Sequence, residues 1–155
     1  MLKFKNKIIK LSRSEHHIKL ICFAVMLIYI YCVLNLTLLA RTSGVRRIVL
    51  TPFWELRSML ESGNYSHWVA QILGNVFMLV PLGAMLPILN EKFRSVKNTA
   101  IAGLLFSMFI EFTQYYTGRG LFEVDDILHN TLGAVTGYFF YIIFSRIIAY
   151  KEMQE

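Results

Sequence analysis

The residues of this chain best suited to chemistry lie in one stretch, IEFTQYYTGRGLFEVDDILHN (110–130). Its polar members are Glu111, Gln114, Arg119, Glu123, Asp125, Asp126, His129 and Asn130. Carboxylates and an imidazole can act as general acid and base, which makes Glu111, Asp126 and His129 the candidate catalytic residues. An arginine can pair a carboxylate or a phosphate, so Arg119 is a candidate for binding an anion.

The acids of this stretch could also bind a metal ion. Glu111, Asp125 and Asp126 offer the hard oxygen ligands that Mg²⁺ and Ca²⁺ prefer. The sequence has no recognised ligand motif, however, and it lacks a zinc-protease helix, a GxSxG elbow, a phosphate loop and a CxxC pair. We therefore predict no metal and no cofactor, and the pattern indicates no particular reaction.

The elements that carry these residues follow from the composition. The chain has 155 residues, of which 55% are hydrophobic and 17% are charged, whereas about a quarter of a soluble domain is charged. Four stretches approach the roughly 20 apolar residues that a membrane span needs. They are residues 21–40, 69–89, 99–116 and 127–149. The pattern predicts an all-α, polytopic membrane protein with four transmembrane helices, in which residues 21–150 form a single membrane domain.

The charges at the two ends set the predicted orientation. Residues 1–20 form a basic N-terminal tail, and residues 151–155 form a short C-terminal tail. With both termini inside, eleven lysines and arginines lie in inner segments and five lie in outer segments, as the positive-inside rule requires. We therefore predict a multi-pass membrane protein with both termini cytoplasmic. Anionic lipid headgroups account for the positive charge, so no nucleic-acid partner is expected.

A short amphipathic helix is predicted between the first two spans. In LTPFWELRSMLESGNYSHW (50–68), Thr51 can cap a helix and Pro52 suits its first position. Apolar residues then follow at helical spacing, and Trp54 and Trp68 flank them as anchors at headgroup level. The pattern indicates a helix lying in the outer interface of the membrane.

Polar residues of three spans fall at a common depth in this topology. Those predicted to bind a ligand are Asn75, Glu111, Gln114, Arg119, Asp126 and Asn130. Polar groups on separate helices cost several kcal/mol each if they face hydrocarbon, so they should converge. They can converge as hydrogen bonds between helices, with Asp125 and Asp126 capping the fourth span, or as a pocket that opens outward. Glu111 supports the pocket most strongly, because a carboxylate inside a span is costly.

Two glycines of the fourth span predict close helix packing. Gly133 and Gly137 form a GxxxG motif, which lets helix backbones approach each other. Asn130 lies on the same stripe at helical spacing. This face can pack within the chain, in a homo-oligomer, or against another membrane protein that the chain assists.

Three segments carry a combined pattern over most of residues 50–140. They are LTPFWE (50–55), GNVFMLVPLGAMLP (74–87) and IEFTQYYTGRGLFEVDDILHNTLGAVTGY (110–138). In this pattern the chain resembles the VanZ-like family of small integral membrane proteins. The family's motif positions correspond here to Pro52, Phe53, Asn75, Pro81, Gly83, Glu111, Gln114, Arg119, Asp126, Asn130, Thr131, Gly133 and Gly137. One departure is Glu123, which stands where the family often has an aspartate, with Asp125 as an extra acid.

The resemblance implies a role in the bacterial envelope, since some members of the family lower susceptibility to glycopeptides such as teicoplanin. Together with the predicted pocket, it leads us to expect a protein that contacts membrane lipids and binds a lipid-linked cell-wall precursor or a lipoglycopeptide. The alternative is a membrane enzyme that modifies an outer-leaflet lipid or wall precursor, with Glu111 and Asp126 as acid–base groups.

Overall fold

A computed structural model describes the backbone of residues 2–41, 44 and 46–154, and the side chains of residues 15–41, 44, 46–151, 153 and 154. The predicted basic tail is helical from Leu2, but its side chains up to residue 14 lie outside the described residues, as does Glu155. The elements are α1 (Leu2–Leu34), a π-helical turn (Asn35–Leu39), β1 (Ile48–Val49), α2 (Trp54–Ser62), α3 (Tyr65–Leu89), a 3₁₀ turn (Glu91–Phe93), α4 (Val96–Thr117), β2 (Phe122–Glu123) and α5 (Val124–Glu152).

Three of these helical segments are long and apolar enough to cross a membrane. They are Glu15–Leu39, Tyr65–Leu89 and Val124–Lys151. The mainly helical fold and the membrane character are thereby confirmed. Helix α4 has 22 residues but is not among the three, so a fourth span stays a prediction. Helix α2 forms where the sequence predicts a short helix, and its place in a membrane interface is likewise a prediction.

The distribution of polar and apolar side chains is inverted relative to a soluble protein. Large apolar side chains such as Ile28, Phe77 and Phe144 are more than 60% exposed. Glu55 and Glu111, in contrast, are at most 1% exposed. Water penalises exposed hydrocarbon and a bilayer penalises exposed charge, so this arrangement fits a lipid solvent.

Helices α3 and α5 pack against each other through glycine. A Cβ added at Gly133 would overlap the carbonyl oxygen of Val76, and one added at Gly137 would overlap the carbonyl oxygen of Val80. One turn further along α5, from Gly133 to Gly137, the contact also moves one turn further along α3, from Val76 to Val80. The two helices therefore run parallel. This glycine face is therefore occupied within the chain, and the small core around Leu79 lies beside it.

A two-stranded sheet joins the segment after α1 to the loop before α5. Strands β1 and β2 are parallel, with Ile48 opposite Phe122 and Val49 opposite Glu123. The all-α prediction does not include this pair. Main-chain pairing of two such short segments depends on contacts distant in sequence, which hydrophobic periodicity does not report.

Candidate functional site

Polar side chains gather at one end of the bundle, where the C-terminal ends of α1 and α4 meet the N-terminal ends of α3 and α5. Helix α2 lies at the same end, since hydrogen bonds join it to α3 and α5. The buried polar residues at this end are Thr37, Glu55, Glu111, Gln114, Glu123, Asp125 and Asn130. Because each group costs free energy if it lacks a partner, the hydrogen bonds decide which groups are structural and which are open to a ligand.

Asp125 caps α2. One carboxylate oxygen accepts the N–H of Phe53 at 2.6 Å, and the other accepts the N–H of Glu55 at 3.1 Å. Phe53 adopts a left-handed conformation, with φ of 60°, which costs roughly 1–2 kcal/mol and is offset by these two bonds. The predicted cap at Thr51 is wrong, because α2 starts at Trp54. The predicted cap of α5 by Asp125 is also wrong, because its carboxylate is aimed at α2.

Glu111 ties α4 to the start of α5. Its carboxylate accepts the N–H of Glu123 at 2.9 Å, and Glu123 occupies the position just before the first turn of α5. The Glu123 carboxylate in turn accepts the indole N–H of Trp54 at 3.2 Å. The N–H groups at the start of a helix have no acceptor within that helix. The Glu111 carboxylate supplies such an acceptor, which explains why a carboxylate lies in this apolar stretch.

Two predicted binding residues of the α4 end reach the C-terminus of α1. Gln114 donates to the carbonyl of Thr37 and Arg119 to the carbonyl of Leu38, each at 3.0 Å. These carbonyls lie in the π-helical turn at the end of α1, where oxygens lack regular partners. A cation at a helix C-terminus is also favoured by the helix dipole.

A cavity of about 760 Å³ opens at this end. Its lining residues are Ala40, Arg41, Gly44, Gln71, Asn75, Gly118, Arg119, Gly120, Leu121, Glu123 and Asp126. Of the predicted binding residues, Asn75, Arg119 and Asp126 therefore line the cavity, and Asn75 donates a hydrogen bond to Asp126. Glu111, Gln114 and Asn130 do not line it. Asn130 is buried and donates to Ser107 at 2.9 Å.

The cavity holds charges of both signs. Among the described residues, neither Arg41 nor Arg119 forms an ion pair with a carboxylate. Glu123 and Asp126 lie on the same walls. Burial, with the charge of Asp126, raises the pKa of Glu123 to about 7, so this carboxyl carries a proton part of the time at neutral pH. Partial neutralisation of the acids leaves the arginines better able to attract an anion.

Three side chains that can bind a metal ion lie close together beside the cavity. Glu55, Asp126 and His129 each place one such atom within 4.8 Å of the others. Glu55 accepts the side-chain amide of Gln71 at 2.5 Å through one oxygen. Its other oxygen lies 3.2 Å from Nδ1 of His129. Burial, followed by the charge of Asp126, raises the pKa of Glu55 to about 7.

The three candidate catalytic residues therefore do not all lie together. Asp126 and His129 lie in this three-residue group, whereas Glu111 is bonded to the backbone of Glu123. The prediction did not include Arg41 and Glu55 as site residues. Glu55 belongs to the LTPFWE segment, which could have marked it, while no pattern in the sequence marks Arg41.

Comparison with known proteins identifies the chain's family. The family described as VanZ/LLP1 matches residues 18–145, a range that includes the cavity and the Glu55, Asp126 and His129 group. No curated protein and no solved structure gives a significant match. The match covers well over half of the chain, and it agrees with the resemblance in the three motif segments. The chain belongs to the VanZ/LLP1 family.

Proposed function

We propose that this protein binds the anionic headgroup of an envelope amphiphile in the cavity at the end of the bundle. The observation that carries the proposal is the pair Arg41 and Arg119, which line one cavity and form no ion pair with a carboxylate among the described residues. Guanidinium groups bind phosphate and carboxylate through charge-assisted hydrogen bonds. The amphiphile is a lipid-linked cell-wall precursor or a lipoglycopeptide.

The size and surroundings of the cavity support an amphiphile over a small ion. A volume of about 760 Å³ lies in the range of roughly 300–1,000 Å³ typical of sites for small organic ligands. Exposed apolar side chains such as Leu73 and Phe77 cover the adjoining helix α3. A headgroup in the cavity can thus leave its hydrocarbon chain in the surrounding lipid.

The proposed topology places this site at the outer surface. Helix α4 is the third of four spans in chain order, both termini are cytoplasmic, and α2 lies in the outer interface above the cavity. Family membership and the apolar helices support a place in the membrane. Binding a wall precursor there, or the drug itself, would lower susceptibility to teicoplanin by reducing the encounter between the drug and its target.

Arg41→Gln is expected to weaken binding of a polyprenyl diphosphate by roughly tenfold, because a charge-assisted hydrogen bond of about 1.5–3 kcal/mol is lost. The measurement is equilibrium binding of that lipid to the protein in nanodiscs. The matched control is Arg57→Gln on α2, since Arg57 lies at the same end but is exposed and paired with Glu61. Equal affinities of the two variants would contradict the proposal.

The proposed topology predicts which introduced cysteines a reagent outside the cell can label. In a chain with Cys22 and Cys32 replaced by alanine, a membrane-impermeant maleimide should label Arg57→Cys and Tyr116→Cys in intact cells. Lys92→Cys should react only after permeabilisation, because it lies between α3 and α4. All three positions are exposed on the surface of the folded chain, and Tyr116 is the last residue of the predicted span 99–116, next to the outer loop. Labelling of Lys92→Cys but not Tyr116→Cys would place the cavity on the cytoplasmic side.

A second candidate function is supported by the position of Asp126, which lines the cavity and lies within 4.8 Å of His129. This pair could transfer a proton to or from a bound lipid or wall precursor, as in a membrane enzyme. Glu111 is removed from the cavity by its bond to Glu123. Mass spectrometry of envelope precursors with and without the protein separates the candidates, because simple binding leaves the precursor structures unchanged.

A further inference from the structure

Two buried polar atoms face each other without a hydrogen-bond partner in the described part of the chain. They are the second carboxylate oxygen of Glu55 and Nδ1 of His129. Glu55 is fully buried, with 0% of its surface exposed. The atoms lie 3.2 Å apart, yet their alignment does not make a hydrogen bond. Burying a carboxylate oxygen without a hydrogen-bond partner is costly, so these two atoms are open to a ligand.

The distance between Glu55 and His129 is close to the spacing of two ligands around one metal ion. Zn²⁺ binds imidazole nitrogen and carboxylate oxygen at about 2.0–2.2 Å, so two ligands at the tetrahedral angle are roughly 3.3–3.5 Å apart. The 3.2 Å between Glu55 and His129 is close to this spacing. A carboxylate oxygen of Asp126 completes a group of three within 4.8 Å.

The environment favours a cation over a water molecule or an apolar contact. Ionised carboxylates offer only acceptor oxygens, and Nδ1 of a histidine protonated at Nε2 is also an acceptor, so a cation satisfies all three atoms at once. The neighbouring carboxylate of Asp125 adds negative charge. Within the described residues no lysine or arginine forms an ion pair with Glu55 or Asp126. A mixed nitrogen and oxygen set selects a first-row transition metal over Mg²⁺ or Ca²⁺.

We propose that Glu55, Asp126 and His129 form a binding site for a divalent transition metal, with Zn²⁺ as the representative ion. The site joins α2 to α5 and leaves at least one coordination position for water or a ligand. This site differs from the Glu111, Asp125 and Asp126 set that the sequence suggested, because Asp125 caps α2 and Glu111 accepts a backbone N–H. Asp126 belongs to both the metal site and the cavity, so a bound ion would lie beside the proposed headgroup site.

The test is zinc binding by the untagged full-length chain in nanodiscs after treatment with a chelator. We expect one Zn²⁺ per chain, and X-ray absorption at the zinc edge should show one imidazole among nitrogen and oxygen neighbours at about 2.0 Å. Glu55→Gln should weaken zinc binding by roughly tenfold or more, although the glutamine oxygen can still accept from Gln71. His129→Gln should weaken it similarly and remove the imidazole signature.

The matched control is Glu123→Gln, which removes a neighbouring buried carboxylate that is outside the group. Its zinc affinity should fall by less than that of Glu55→Gln. The proposal would be overturned if the wild type bound less than about half an equivalent of zinc, or if its spectrum lacked an imidazole ligand. Equal losses of zinc affinity in Glu55→Gln and Glu123→Gln would also overturn it. The wild-type spectrum decides the matter even if a variant fails to fold.

Zinc binding and headgroup binding use different residues apart from Asp126. Arg41→Gln should keep its zinc while losing headgroup affinity, since Arg41 is outside the group of three. Loss of lipid binding with zinc retained, or the reverse, therefore shows which of the two proposals fails.

Discussion

Asp125→Ala is expected to lower the free energy of unfolding by roughly 2–4 kcal/mol, because two N–H groups at the start of α2 lose their charge-assisted acceptor. These groups belong to Phe53 and Glu55. The left-handed conformation of Phe53 then also lacks the bonds that offset its strain. Since Glu55 is carried by α2, release of this helix should disturb the polar end of the bundle as a whole.

Tryptophan fluorescence provides the measurement. The chain has two tryptophans, and Trp54 and Trp68 pack edge to face at this end with ring centroids 5.4 Å apart. Asp125→Asn should give an intermediate loss, because its amide offers one acceptor oxygen instead of two. Thr51→Ala is the control, since α2 does not use Thr51 as its cap. An Asp125→Ala chain with unchanged emission and unfolding temperature would contradict the assigned cap.

Gly133→Ala is expected to destabilise the protein by roughly 1–3 kcal/mol or more, because the added methyl group overlaps the carbonyl oxygen of Val76. Both atoms belong to packed helices, and neither is the mobile end of a flexible side chain. Helices α3 and α5 would have to separate, which weakens the contacts around Leu79 and Ala134 as well. Thermal unfolding in detergent, followed by circular dichroism, measures the loss.

Gly74→Ala is the matched control for this change. Gly74 also lies within a long apolar helix, but a Cβ added there meets nothing within 4 Å. Alanine is a better helix former than glycine by up to about 1 kcal/mol, so Gly74→Ala should be neutral or slightly stabilising. Equal unfolding temperatures of the Gly74 and Gly133 variants would contradict the close contact of α3 and α5.

The polar residues at this end of the bundle have two kinds of surroundings. Asp125, Glu111 and Gln114 satisfy orphan groups at helix ends, as their hydrogen bonds indicate. Arg41 and Asp126 face the cavity. The two predicted interpretations, hydrogen bonds between helices and a polar pocket, do not exclude each other, because Asn75, Arg119 and Asp126 form hydrogen bonds and also line the cavity.

Much of the fold could be predicted because it depends on local patterns. Long apolar stretches predicted the helices of 21–40, 69–89 and 127–149, and the structure has membrane-length helices there. The stretch 99–116 is also helical, but its polar residues keep it from qualifying as a span on composition. The family assignment is confirmed as well, since the three motif segments fall within the matched range.

The partners of the polar residues could not be predicted in the same way. The sequence placed Glu111 in an apolar stretch and thereby marked it as unusual, but its acceptor role depends on the amide of Glu123 at the start of another helix. Arg41 follows the first span directly, so the sequence indicates only a charged residue in an outer loop. Its place on the cavity wall depends on how the segment after α1 approaches the α4–α5 loop, where β1 pairs with β2.

By itself the sequence determined a helical membrane protein of the VanZ/LLP1 family with its polar residues near one end, because run length, composition and motif spacing are properties of the chain. Only the tertiary structure decided that Asp125 caps α2, that Arg41 joins Arg119 at a cavity, and that Glu55 meets His129. These contacts join residues far apart in the chain. Their free energy depends on burial and on the direction of each donor and acceptor, which are fixed only once the helices pack.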